Sequence, residues 1–219
     1  MKKVNVKAIA VTGVLTAAAF LLTFVFRFKV SFLTFDFKDT LIAIASLAYG
    51  FPYGVASAFI VAFIEFLTVS ETGIYGFVMN FLASGTFALV CGLIYKYKRT
   101  FSGAIISLIV AALSVNIVMI TANIFITPLY MGVDTDAVIS LITPLLLPFN
   151  ISKTVINSAA TLLLYKPITL ALRRYNILGG EVKGQMGFKS VILAVVSVLV
   201  IVLTALYITL KLNGVFEIF

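Results

Sequence analysis

The sequence predicts an all-α integral membrane protein: a bundle of six helices followed by one extra C-terminal transmembrane helix. Three observations carry this expectation. Hydrophobic residues make up 62% of the 219, against roughly 45–50% in a soluble domain. Charged residues are only 11%, too few to cover a soluble surface, and the mean hydropathy is +1.19. Uncharged stretches also recur at lengths suited to a hydrocarbon core of about 30 Å, which about 20 helical residues cross.

The first helix is expected over about 7–28, on the apolar run 8–26. That run exceeds the 7–15-residue core of a signal peptide and lacks an A-x-A ending, so it reads as a retained helix. Residues 29–39, KVSFLTFDFKD, alternate partly with period two and suggest an extended segment over the outer mouth of the bundle. Phe32, Phe35 and Phe37 there either lid a flat ligand or join an interfacial aromatic belt. The stretch 40–64 is too long for one span and holds Gly50-Phe51-Pro52. Proline lacks an N–H and the glycines permit a tight turn, so the stretch divides into helices at about 39–50 and 52–69. The shorter of these cannot cross ~30 Å at 1.5 Å per residue. It must tilt, be wrapped by protein, or end in a cavity. Helices at about 73–97, 101–127 and 142–172 follow, then a glycine-rich charged stretch, then a last helix at 189–211. The units expected are 1–175, a six-helix membrane domain; 176–188, a cytoplasmic linker; and 189–219, an additional transmembrane helix with an external C-terminus.

The net charge of +8 and pI of about 9.6 point to cytoplasmic loops rich in Lys and Arg, not to nucleic acid. Lys2, Lys3 and Lys7, then Lys96, Lys98 and Arg99, then Lys166, Arg173, Arg174 and Lys183 all fall on one side if the N-terminus is cytoplasmic. Asp36, Asp39, Glu71, Asp134 and Asp136 then collect outside. The protein is expected in the cell membrane, in contact with the lipid bilayer. No histidine is present, which removes His relays and His metal sites. The single cysteine, Cys91, reads as a small buried hydrophobe. Neither a G-x-x-x-x-G-K-[ST] loop nor a metalloprotease motif occurs, so any ATP must be hydrolysed by another chain. No repeat of 20–50 residues is apparent.

Polar residues inside spans are costly, and they mark candidate sites. Lys153 stands 13 residues before Lys166, some 20 Å deeper along the helix. Asn150, Lys153 and Asn157 share one helix face, just after Pro148. The stripe suits ligand hydrogen bonding; the alternative is a lysine snorkelling outward. Asn116 and Asn123 share a face of the fifth helix, and Asn80 lies in the fourth; each either lines a pocket or bonds between helices. Glu65 stands near the outer end of the third helix, as an ion site or as an interfacial or structurally paired carboxylate. Lys153 has no evident carboxylate partner, which argues against acid–base chemistry and an enzyme. Ala8, Thr12 and Thr16, with Gly13 and Ala17, form small-residue strips on the first helix that allow close helix approach.

Five segments, FLTFDFKD (32–39), YGFPYG (49–54), GFVMNFLASG (76–85), NIFITPLY (123–130) and FNISKT (149–154), together resemble the riboflavin-binding S component of energy-coupling-factor (ECF) vitamin transporters. The resemblance covers about residues 5–175; the tail and seventh helix depart from it. It implies that 1–175 is a substrate-binding domain that captures riboflavin from outside. It implies release inside when the domain is coupled to a scaffold membrane subunit and two ATPases. Riboflavin is then a transported ligand, with no cofactor and no metal. The family's Asn-x-x-Lys pair falls on Asn150 and Lys153, its helix 5 Asn on Asn123 or less plausibly Asn116, and its Phe/Asp loop on Phe35 and Asp36. Asn80 and Asn157 complete the expected ligand set. The scaffold contact would fall on Ala8, Thr12, Gly13 and Ala17. The competing expectation is a secondary transporter of a small molecule driven by an ion gradient through Glu65 or Lys153.

Overall fold

The computed structural model describes residues 5–175, 178, 188–213 and 215–217. The elements in order are α1 (Val6–Val25), β1 (Arg27–Val30), β2 (Leu33–Phe35), α2 (Lys38–Tyr49), α3 (Phe51–Thr68), α4 (Gly73–Tyr97), α5 (Phe101–Met131) and α6 (Thr135–Ser140). A π-helical turn (Ile142–Leu146), α7 (Leu147–Arg174), α8 (Phe188–Lys211) and β3 (Val215–Glu217) complete them. Among the described residues, six helical segments are long and apolar enough to cross a membrane, the last of them Ile192–Lys211 in α8; α2, at 12 residues, is not among them.

Local chemistry sets the boundaries. Asn5 caps α1, accepting from the Ala8 N–H at 3.2 Å, and Thr100 caps α5, accepting from the Gly103 N–H at 3.2 Å. Gly50 has φ +104°, a conformation L side chains rarely adopt, and it turns α2 into α3 with Pro52 in the first turn. Helix α4 passes so close to this turn that a Cβ on Gly92 would sit 2.7 Å from the Phe51 backbone nitrogen. Ser46 of α2 also donates to the Ala88 carbonyl of α4 at 2.6 Å.

The short helix is wrapped by protein: every residue from Lys38 to Leu47 is buried. Its Ala43 and Leu47 pack with Phe87, Cys91, Leu108 and Met119. Its other side, Leu41, Ile42, Ile44 and Ala45, packs with Leu15, Ala19, Ala58 and Val61. Twelve residues span only ~18 Å, so α2 forms the axis of the bundle without crossing the hydrocarbon.

Four expectations are corrected. Helix α1 ends at Val25, not near 28, and residues 27–35 form an antiparallel hairpin, with Phe28 opposite Phe35 and Val30 opposite Leu33. The tail beyond α8 adds a third strand: β3 pairs antiparallel with β1, with Phe216 opposite Phe28. Helix α5 runs past Pro128 to Met131 and stops at Gly132, which is left-handed at φ +65°. Helix α7 begins at Leu147, after the short α6 and a π turn in which the Leu146 N–H donates to the Leu141 carbonyl at 2.9 Å. Pro148 supplies no N–H, so the turn before it is free to widen.

A third core cluster joins hairpin and tail: Val30 and Phe35 pack with Phe149 and Ile156 of α7 and Ile208 of α8. The linker expected over 176–188, apart from residues 178 and 188, and Lys2, Lys3 and Lys183 lie outside the described residues.

Candidate functional site

The site begins where β2 runs into α2. Phe35 is fully buried and meets Phe28 and Phe149 edge-on, both at a centroid distance of 6.0 Å. The next residue, Asp36, points inward and accepts from the Lys38 N–H at 3.3 Å. Lys153 of α7 reaches it: the ammonium lies 3.1 Å from Asp36 Oδ2 and 3.2 Å from the Thr34 carbonyl oxygen. The expectation that Lys153 lacks a carboxylate partner is therefore overturned. Asn157, one turn further on, donates to the Asp36 carbonyl at 2.9 Å and accepts from the Thr40 N–H at 3.1 Å and hydroxyl at 2.9 Å. One helix face thus holds both the side chain and the backbone of Asp36.

Around this pair stands a buried charge network. Lys38 donates to both oxygens of Glu65, at 2.8 and 2.6 Å, and its ammonium lies 3.6 Å from Asp36 Oδ2. Asn80 donates to Glu65 Oε2 at 3.1 Å, and Ser84 donates to Asp39 Oδ1 at 2.5 Å. Asp36, Lys38, Asp39 and Glu65 are 2–6% exposed, so Asp36 and Asp39 are interior groups rather than the solvated loop charges expected. Glu65 is the structurally paired carboxylate, not a free one. Burial alone would raise the pKa of Asp36; Lys153 and Lys38 outweigh it and hold the carboxyl below its ordinary range.

Two small cavities flank the network. Asp39, Phe87, Val115, Asn150, Lys153 and Asn157 line a cleft of about 10 Å³, with Ala83 and Thr154 completing its wall. Thr34, Asp36, Lys38, Glu65 and Asn80 line a second of about 100 Å³, reaching Phe32 and Glu71 at its rim. Small-molecule sites measure about 300–1,000 Å³, and both cavities are smaller than that.

The structure divides the eight expected ligand residues. Asn150, Lys153 and Asn157 line one cleft; Asp36 and Asn80 line the adjoining one; Phe35 seals the hairpin onto α7. Asn116 lies on the far side of Thr154, to whose hydroxyl it donates at 3.2 Å, and it lines a separate apolar groove. Asn123 is 1% exposed and satisfied within its own helix, donating to the Met119 carbonyl at 2.7 Å and accepting from Thr127 at 2.8 Å. Asp39, Ser84, Phe87 and Lys38 were not in the expected set. The signal available for Lys38 and Asp39 was their place at the start of a helix too short to span the membrane.

The small-residue strip of α1 also divides. Gly13 and Ala17 are exposed and, with the buried Thr12, line a groove of about 740 Å³ between α1 and α3, while the buried Ala8 is not in its wall. Thr16 closes the floor of that groove with a 2.7 Å hydrogen bond to Ser57.

Residues 7–165 match the family described as ECF transporter, substrate-specific component. The chain is 32% identical over 178 residues to the riboflavin transporter RibU of Staphylococcus aureus (strain TCH60), covering 77% of this chain and 93% of that one. It is 28% identical over 173 residues to the riboflavin transporter FmnP of Bacillus subtilis (strain 168), covering 74% and 91%. A solved chain described as the S component of a bacterial ECF transporter superposes with a TM-score of 0.65 at 31% identity, covering 77% of this chain and 98% of its own. The family match ends at residue 165, before α8 begins.

Proposed function

The chain belongs to the substrate-specific components of ECF transporters, and from that premise we propose that it captures riboflavin outside the cell and releases it inside when driven by a scaffold subunit and two ATPases. It is a multi-pass membrane transport component rather than an enzyme. The observation that carries the riboflavin reading is Lys153, an ammonium held deep in α7 between Asn150 and Asn157 and beneath the hairpin.

The chemistry fits a flavin. An isoalloxazine ring is flat and apolar with one edge of alternating N–H and C=O groups. Phe87, Val115 and Ala83 provide an apolar wall, and the carboxamide of Asn150 can donate and accept at that edge. The ammonium of Lys153 can donate to a carbonyl or a ribityl oxygen. The adjoining cavity, with Asp36, Lys38, Glu65 and Asn80, suits the hydroxyls of a ribityl chain. The closed cleft requires the hairpin to lift, and the bonds that Lys153 and Asn157 make to Asp36 are then exchanged for bonds to the vitamin. An interior that swaps one satisfied hydrogen-bond set for another opens at small net cost.

Residues 1–175 form the binding unit in this reading, and the groove at Gly13 and Ala17 is the scaffold contact; Ala8 and Thr12 support it from within. The Lys and Arg clusters support a cytoplasmic N-terminus in this reading, with the hairpin outside. An ion-gradient mechanism has less support, because Glu65 is bound by Lys38 at 2.6 Å. Protein purified without added vitamin tests the proposal. Co-purified flavin absorption, lost in Lys153→Ala, is expected; a colourless protein with no affinity for riboflavin overturns the ligand assignment.

A further inference from the structure

Helix α8 lies outside the family match, and it packs along α7. Two hollows form along that seam. At the basic end of the bundle, Arg99, Lys166 and Arg173 line a cleft of about 450 Å³ whose far wall is Leu193 and Ala194 of α8. Lys166 and Arg173 stand at i and i+7, so α7 turns both cations toward the same space. Above it runs a groove of about 630 Å³, walled by Ile109, Leu113 and Ile117 of α5, Ile151 and Val155 of α7, and Val196 and Val200 of α8.

The two hollows adjoin, with Leu162 and Leu193 in the wall of both. From Leu162 to Leu147 the groove follows 15 residues of α7 (162 − 147), or ~22 Å, more than the ~15 Å depth of one leaflet. A cationic cleft beside a long apolar groove matches one kind of molecule: an amphiphile with an anionic head. A free anion would fill only the mouth, and a neutral lipid would forgo the attraction of the cations. Basic pockets between transmembrane helices recognise anionic lipid head groups in this way.

We propose that an anionic phospholipid occupies this seam, its head group at Lys166, Arg173 and Arg99 and an acyl chain between α5, α7 and α8. The lipid fastens the appended helix to the six-helix unit. It makes the association of α8 depend on membrane composition. The vitamin cleft shares only Thr154 with the groove and no residue with the basic cleft.

The full chain in mild detergent, without riboflavin, provides the test. Dioleoyl-phosphatidylglycerol, dioleoyl-phosphatidylcholine and soluble glycerol 3-phosphate are each added, and thermal unfolding and lipid adducts by native mass spectrometry are recorded. Phosphatidylglycerol should raise the unfolding midpoint and persist as a one-lipid adduct, phosphatidylcholine much less, and glycerol 3-phosphate not at all. The double variant K166Q/R173Q should reduce the preference for phosphatidylglycerol about thirtyfold, the order expected for two cations near an anionic head group. Val196→Trp, which fills the groove, should weaken retention of both lipids. Equal effects of the two lipids, or glycerol 3-phosphate acting as strongly as phosphatidylglycerol, overturn the proposal. So does undiminished preference in K166Q/R173Q. If a variant fails to fold, the three-ligand comparison on the unmodified chain decides alone.

Discussion

Lys153 Nζ lies 3.1 Å from Asp36 Oδ2, so a single ion pair ties the outer half of α7 to the residue that leads from the hairpin into α2. The pair bridges residues 117 apart in the chain. It holds the hairpin down and keeps the candidate ligand cation in place.

Lys153→Ala should weaken riboflavin binding by about 30- to 4,000-fold, the 2–5 kcal/mol typical of truncating a buried charged partner. Quenching of flavin fluorescence on titration measures it. Because buried Asp36 then keeps only Lys38, at 3.6 Å, the unfolding midpoint should fall as well. Affinity within a factor of three of the parent would remove Lys153 from the site.

The Lys38–Glu65 pair gives a stability test. Lys38→Met leaves Glu65 buried without its cation and should cost about 3–5 kcal/mol. Replacing both, Lys38→Met with Glu65→Leu, should recover most of that loss. Thermal unfolding of the two variants decides, and a double variant no more stable than the single one contradicts the pairing.

Acid should act through Asp36. Its carboxyl is held below the ordinary 3.8, so its contribution to stability is fully present above that value and is lost as pH falls through the lower folded-state value. Asp36→Asn should therefore be less stable than the parent at pH 7, with the gap narrowing below about 3.8. A constant gap down to pH 3 would show that Asp36 contributes no linked protonation.

The third strand should govern exchange. Ending the chain after Asn213 removes β3, and with it the pairing of Phe216 with Phe28 in β1. Stopped-flow fluorescence should then show riboflavin entering and leaving faster, with a smaller change in their ratio. Unchanged rates would mean that β3 does not restrain the hairpin.

Docking and binding should separate. Gly13→Leu with Ala17→Leu fills the exposed α1–α3 groove without touching the cleft. Co-purification with the scaffold subunit should be lost while riboflavin affinity stays within about twofold. Loss of both together would place the docking surface elsewhere.

The break at Gly50-Phe51-Pro52, the long spans and the Asn150, Lys153, Asn157 stripe are all legible in the amino-acid sequence. Each depends on neighbours within a turn or two. A proline's missing N–H, a glycine's positive φ, and the cost of a lysine among apolar residues are local properties of the chain. Asn116 and Asn123 show the limit of such reasoning. They satisfy the same spacing rule as the α7 stripe, yet one faces the α7–α8 groove and the other bonds within α5.

By itself the sequence determined the class, the spans and the one deep cation. Tertiary structure alone decided what that cation meets. Asp36 and Asp39 read as loop charges because aspartate is ordinarily solvated there, but α2 is drawn into the bundle axis and carries its first turn inward. The pairing of β3 with β1 and the Lys153–Asp36 pair join segments more than 100 residues apart. No periodicity within a segment encodes such a pairing. It follows from which surfaces remain once the long helices have packed, and a buried charge must then find its partner there.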